Sequence, residues 1–396
     1  MTGYQVPIGG AIGQYTSWRW IFWINIPVCV ITISGIIYSL HLHQEITSLR
    51  SKLARIDYLG ILVFVASMTL LLFGLTTGGT TNPWNSVNVL APLIIGLSGI
   101  AIFILVQWKI SKQPMMPLRI FSNRSANAGF LGAFIHGLVL WASAYYMIIF
   151  VSSSLDLTKV PTLTMLQFLG ALQHSLFKAS VETLPGSAPI ALSGVISNLI
   201  VAKTMRFQKQ TWLAWILLTT GTGLNALMRP YSNGGILYAL RIIPAIGGGF
   251  LFQLPVFAVQ STTIDEDLGV ATSMVTFFRS LGQSVGVAVG GTVFQNEFNR
   301  LIHKAVVRGE IGTEFVITGA KAAGAYDEIR KFPGNVRESY RYVYADSLRV
   351  IWYVTTAIAV AGLLVSLGVR NESMDRGNNS TQRFKEEKKK KEGGPV

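Results

Sequence analysis

The 396-residue chain holds a single cysteine, Cys29, which excludes an intrachain disulfide and leaves no paired thiols for redox chemistry. Charge is scarce as well, since only 13% of residues are charged while 50% are hydrophobic. In water such a chain would expose more apolar surface than one soluble core could hide. Carboxylates are missing over two long intervals, from Tyr58 to Leu155 and from Thr183 to Ile264. His41 and His43 have no Cys or carboxylate cluster to complete a metal site, and two positions apart they do not share a helix face. Gly221-Thr222-Gly223-Leu224-Asn225-Ala226 has the lettering of a dinucleotide fingerprint, but it lies in an apolar run with no preceding strand. There is no P-loop, and Met1 to Gly13 lacks the basic region that opens a cleavable signal peptide. Enzymatic activity, a metal, a cofactor and ATP-driven transport are therefore not expected.

What the chain has is long apolar runs. Nine of them approach the roughly 20 residues that a helix needs to cross a bilayer: Trp20 to Leu40, Tyr58 to Leu75, Val89 to Trp108, Phe130 to Phe150, Pro185 to Lys203, Trp212 to Met228, Ile236 to Val259, Val270 to Phe294 and Leu348 to Val369. Backbone groups in lipid must be satisfied internally, and runs without strict alternation cannot form a barrel. The fold class expected is an all-α polytopic membrane protein. Pro27, Pro92, Pro244 and Pro255 fall inside spans, where kinks are expected.

Lys and Arg give the orientation. Arg50, Lys52 and Arg55, then Lys109, Lys112, Arg119 and Arg124, then Lys203, Arg206 and Lys209 occupy alternate connections. Between them Thr76 to Asn88 has no charge, and Arg229 to Gly235 has one Arg. The positive-inside rule places the basic set, and the C-terminal tail with Lys388 to Lys391, in the cytoplasm. The net charge of +14 is thus a topological signature, and nucleic acid is not an expected partner. Asp265, Glu266 and Asp267 form an acidic connection on the same side, which weighs little in the rule.

Within the spans, Gly282, Gly286 and Gly290 recur every four residues and predict a close helix contact. Arg279, well inside a span, is costly in lipid and should face a cavity or a partner, or else satisfy backbone carbonyls or snorkel to the cytoplasmic headgroups. Thr276 and Gln283 lie within helical reach of it, so the three define a candidate polar stripe along a substrate path. His136, Tyr145 and Gln253 are further candidates for that path. Trp141, Asn225 and Arg241 are also polar or amphipathic residues in spans, each more often a packing residue than a ligand.

The stretch Pro7-Ile8-Gly9-Gly10-Ala11-Ile12-Gly13, followed by Ser17-Trp18-Arg19-Trp20 and Asn25-Ile26-Pro27, resembles the junction of spans five and six in major facilitator superfamily exporters. It is most similar to the fungal fourteen-span drug:proton antiporters, whose antiporter motif would fall on Pro7, Gly9, Gly10 and Gly13. Arg55-Ile56-Asp57-Tyr58-Leu59-Gly60 resembles the opening of span seven, and Arg279 to Ala288, with Gln295-Asn296, resembles span thirteen. Val6 stands where that family has Gly.

The resemblance implies a partial major facilitator fold of about nine full spans and a stub. Residues 1–40 would be the remnant of an N-terminal half, 41–125 two linker spans, 126–369 a six-helix C-terminal half, and 370–396 a basic cytoplasmic tail. Residues 297–347 would form an external loop. The function implied is proton-coupled efflux of small amphiphilic drugs or toxins across the plasma membrane, with the proton-coupling acid on spans upstream of Met1. A siderophore or other small-molecule carrier of the same fold, and a truncated product without activity, are the alternatives. Residues 151–167 exceed the family spacing. Val151-Ser152 can be encoded as GTAAGT, Leu163-Thr164 can supply CTAAC, and Gln167 can be CAG, which together read as a retained intron. A genuine external loop is the other reading.

Overall fold

The computed structural model describes residues 12, 16–17, 19–39, 56–79, 82–111, 114–154, 184–229, 234–322, 325–329 and 331–372. Among them there is no β-strand. Every predicted span is helical. Helices α1 (Trp20–Trp23) and α2 (Asn25–Ser39) make the first span, followed by α3 (Tyr58–Thr77) and α4 (Val87–Lys109). Next come α5 (Arg124–Ser154), α6 (Leu184–Thr204) and α7 (Gln208–Leu224), which ends in a 3-10 turn over Asn225–Leu227. One further span is divided into α8 (Gly234–Phe250) and α9 (Leu254–Gln260). The long helices α10 (Leu268–Val307) and α13 (Gly334–Ser366) flank two short turns, α11 (Gly319–Ala322) and α12 (Tyr326–Ile329).

Six of these spans are long and apolar enough to cross a membrane by length and composition alone, including the joined α8–α9 span. Their outward faces carry the apolar residues: Leu62, Ile94, Leu199 and Leu364 are all more than 60% exposed. Such a surface is stable only against lipid, where apolar contact replaces water and the helical ladder satisfies the backbone.

Of the four prolines at which kinks were expected, two coincide with breaks. The helix restarts at Asn25 just before Pro27, and it stops at Phe250 and resumes at Leu254 before Pro255. A proline cannot return an N–H to the carbonyl four residues back. Pro92 and Pro244 lie inside continuous helices.

The core lies in the bundle of α5 to α10 and α13. α5 packs along α10, α13 and α9, and α6 to α8 form a second layer. A Cβ on Gly282 would strike the Phe134 carbonyl, one on Gly286 the Leu138 carbonyl and one on Gly290 the Tyr146 ring. The four-residue glycine spacing is therefore a seam where α10 meets the α5 backbone. Trp215, 1% exposed, fills the space that Gly362 leaves open on α13.

The segment expected as an external loop is largely helix. α10 runs on to Val307 and α13 starts at Gly334, so only the stretch between them is non-helical or short-turned. Phe298, Tyr340 and Tyr344 pack in an aromatic cluster there, with the Tyr340 hydroxyl donating to the Phe315 carbonyl at 2.6 Å. Pro7, Gly9, Gly10, Gly13, residues 155–167 and Lys388 to Lys391 lie outside the described residues.

Candidate functional site

The divided span brings polar groups together in the bundle interior. Gly247 and Gly249 let α8 lie close against α7 and α6, where a Cβ would strike the Leu218 backbone and the Ser193 hydroxyl with the Ile190 carbonyl. The Phe252 carbonyl is outside the helical ladder, because Val256 N–H and Phe257 N–H both bond to Gln253 O. Arg279 Nη2 donates to that carbonyl at 2.6 Å, and the guanidinium carbon lies 5.0 Å from the Phe252 ring centroid. The His136 ring meets the same phenyl edge-on, with centroids 5.1 Å apart.

Both polar side chains are deep in protein: His136 is 0% exposed and Arg279 is 9% exposed. Neither His136 nitrogen has a hydrogen bond of good geometry, the Gly248 backbone offering only a looser contact. Arg279 Nε is also unpartnered, and among the described residues no carboxylate forms an ion pair with this guanidinium. Counted from Leu268, Arg279 stands about 17 Å along α10 at 1.5 Å per residue.

On the α6 side of the break is a cleft of about 220 Å³, lined by Ala191, Gly194 and Asn198 from α6 and by Gly249, Phe252 and Gln253. Asn198 Oδ1 is buried without a hydrogen-bond partner. Phe252 thus belongs both to the cleft and to the His136 and Arg279 contacts. Such a place, with apolar walls and a few amide groups at an unwound stretch, suits an amphiphilic small molecule.

Of the sequence candidates, the structure gathers His136, Arg279 and Gln253 around this break. Thr276 is exposed and accepts a bond from Ser280 through its carbonyl, Gln283 is half-buried, and Tyr145 is exposed and stacks edgewise on Tyr146. Gly282, Gly286 and Gly290 serve the α5 seam. Sequence reasoning missed Phe252, Asn198 and Tyr146. An amide in a span was a usable signal for Asn198, whereas nothing distinguished Phe252 among 21 phenylalanines. Among the described residues no group of three His, Cys, Asp or Glu could hold a metal ion.

One end of the molecule collects the basic connections. Arg119 donates to Asp267 through Nε at 2.5 Å and Nη2 at 2.9 Å, and reaches Glu266 at 3.5 Å. The bond to Asp267 holds the Arg119 guanidinium above its usual pKa, against the opposing pull of desolvation. Phe207 and Gln208 N–H donate to Asn371 Oδ1, and Arg370 N–H donates to Ser125 Oγ. The acidic connection and three basic segments therefore share one face. At the same end Asp57 caps α3 through Gly60 N–H at 2.9 Å and accepts from Gln107 Nε2 at 2.5 Å and Ser111 Oγ at 3.0 Å. Burial pushes the Asp57 carboxyl up, but these donors together with the Met115 N–H outweigh it and hold the pKa below 3.8.

Comparison with known proteins agrees with this architecture. The chain is 32% identical to MFS transporter L2 of Phoma sp. (strain ATCC 20986 / MF5453), over 97% of its length and 61% of that protein. It is 28% identical to the MFS-type efflux pump LUC4 of Fusarium sp, over 96% of its length and 65% of that protein. It thus spans about three fifths of the length of the curated relatives it matches. The fold is similar to that of a bacterial homolog of the human lysosomal transporter Spinster, in an inward-facing and occupied conformation, with a TM-score of 0.50 and 14% identity over 96% of this chain and 85% of that one. The model of the fungal trichothecene efflux pump (TRI12) family matches residues 1–392, and the chain belongs to that family of major facilitator transporters, whose members are carriers and not enzymes.

Proposed function

We propose that the protein is a secondary active exporter of small amphiphilic compounds, working by alternating access in the plasma membrane and driven by protons. The observation that carries this reading is the broken α8–α9 span, with the Asn198 and Gln253 amides on one side of Phe252 and the buried Arg279 and His136 on the other. Buried polar groups at an unwound transmembrane stretch are expensive and are kept where a substrate or ion passes. His136 supports proton coupling as a buried titratable ring without a well-formed hydrogen bond. The related pumps add the direction of transport, outward.

In this reading residues 1–40 belong to spans five and six of the family fold, 41–125 hold two linker spans and 126–369 form a six-helix half. The end carrying Arg119, Arg206 and Asn371 faces the cytoplasm. In a Cys29→Ser background, cysteines at Lys112 and Lys203 are expected to resist impermeant labelling of intact cells, and those at Thr81 and Asn233 to react. The reverse pattern overturns the orientation. Residues 151–167 are assigned to a retained intron, so messenger reads are expected to join Phe150 to Phe168. Abundant peptides containing Leu155 to Lys159 would overturn that assignment.

The functional test is efflux of lipophilic toxic compounds from energised cells expressing the full transcript. Arg279→Ala and Gln283→Ala are expected to weaken export without loss of membrane insertion, and a protonophore to abolish it. Unchanged export in both variants would remove the pathway from this half.

A further inference from the structure

We infer that Arg279 anchors an anion-accepting subsite, reached from the α6–α8 cleft past the ring of Phe252, and that the preferred cargo is an amphiphile bearing one carboxylate or a similar anionic group. The inference rests on the transport reading and adds to it the charge of the compound carried.

Three observations converge. A guanidinium presents five N–H donors in a planar fork suited to a carboxylate. Here Nη2 meets the Phe252 carbonyl at 2.6 Å, while Nε is buried with no partner. A buried cation with one carbonyl and, among the described residues, no counter-ion is poorly compensated, and the arrival of an anion would lower that cost.

The carbonyl that occupies Arg279 is also replaceable. It stands outside the helical ladder, so an incoming oxyanion can take its place without breaking a bond of α8 or α9. Phe252 covers the guanidinium face at 5.0 Å and also lines the cleft, so rotation of this one side chain would open the guanidinium to the cleft. The cleft itself, at about 220 Å³, has room for a bicyclic aromatic body, and Asn198 and Gln253 offer neutral hydrogen bonds to it.

The charged group facing Phe252 is Arg279 on α10, and the titratable group is His136 on α5. From α6 and from the α8–α9 span, Asn198 and Gln253 are the polar side chains lining the cleft. No carboxylate lies in the sequence between Thr183 and Ile264 to receive a cation there. Cationic amphiphiles are therefore disfavoured.

The test uses the purified full chain in neutral detergent and three radiolabelled probes of one shape: 1-naphthoate, 1-naphthalenemethanol and 1-naphthylmethylammonium. Scintillation proximity should show naphthoate binding at least tenfold more tightly than the other two. Arg279→Gln should remove that preference, Arg279→Lys should retain part of it, and Phe252→Ala should speed naphthoate association. Gln253→Leu should weaken all three probes alike, as a property of the cleft. If Arg279→Gln does not fold, competition against labelled naphthoate in the unaltered protein decides, with unlabelled 2-naphthalenesulfonate expected to displace it and 2-naphthalenemethanol not. Equal binding of the three probes, or a preference that survives Arg279→Gln, would overturn the anion subsite while leaving the cleft and the transport reading standing. Failure of every probe to bind would overturn both.

Discussion

The pair α3–α4, with mean hydropathy of 2.3 and 2.7, is more apolar than the spans of the bundle built on α5, which run from 1.3 to 1.9, and the two treat polarity in opposite ways. In α3 and α4 only 17% and 22% of the apolar window is buried, against 61% in α5. The α3–α4 pair packs mainly on itself: a Cβ on Gly96 would meet the Leu71 backbone, and one on Gly99 would meet Ser67. Its polar anchor, Asp57 with Gln107 and Ser111, sits at the helix ends. The bundle instead buries His136, Ser197, Thr222, Asn225 and Arg279 inside. Two helices against lipid need only a close seam and a tether, whereas a pathway needs polar groups held away from lipid.

The largest effect that would sharpen this contrast is expected in the α5–α10 seam. Gly286→Leu must push α10 away from the Leu138 carbonyl, and overpacking of this kind costs about 1–3 kcal/mol or more. Val287→Leu, at a half-buried neighbouring position, should change stability little. Thermal unfolding in detergent compares the two, and equal melting temperatures would remove the seam from the bundle's energetics. Gly96→Leu should be intermediate. It should loosen α3 from α4 while leaving probe binding in the bundle unchanged, and a loss of binding would break the separation between the regions.

A smaller effect is expected from Asp57→Asn, about 1 kcal/mol for a weakened cap and its side-chain bonds. Its pH dependence has a definite sign. Because the folded carboxyl is held below 3.8, its contribution is complete above the unfolded value and is lost as pH falls through the folded one. The difference in melting temperature between the unaltered protein and Asp57→Asn should hold from neutral pH to about 5 and shrink below about 4. A difference that grew on acidification would contradict the hydrogen-bonded, ionised state. The smallest effect is expected for Ile94→Leu, on a 61% exposed apolar face where one hydrocarbon replaces another. A marked loss of stability there would mean that this face packs on protein.

Much of this was legible in the sequence. The helices were legible at all nine expected runs, six of which are long and apolar enough by length and composition to cross a membrane. The seam was legible in Gly282, Gly286 and Gly290, since backbone contact demands small residues at helical spacing. Pro255 marked a kink, but not that the chain would leave the ladder over three residues and hand a carbonyl to Arg279. That outcome depends on the neighbour that arrives from α10, 27 residues further on. The stripe of Thr276, Arg279 and Gln283 was drawn from spacing on one helix. Spacing does not tell which side of α10 meets α5, and Thr276 lies exposed while Arg279 is buried. The acidic connection looked out of place among basic ones until Arg119 was found against Asp267.

The length of α10 has a mechanical consequence. Its 40 residues make a rod of about 60 Å at 1.5 Å per residue, roughly twice the hydrocarbon thickness. α13 packs on its far segment through Phe298, Tyr340 and Tyr344, so a tilt of α10 about the glycine seam would carry α13 with it. A tilt of about 10° in the membrane would carry the far tip of α10 through about 5 Å, given a lever arm of about 30 Å. A spectroscopic label on the exposed Val307 would magnify a motion too slight to follow at Arg279 itself.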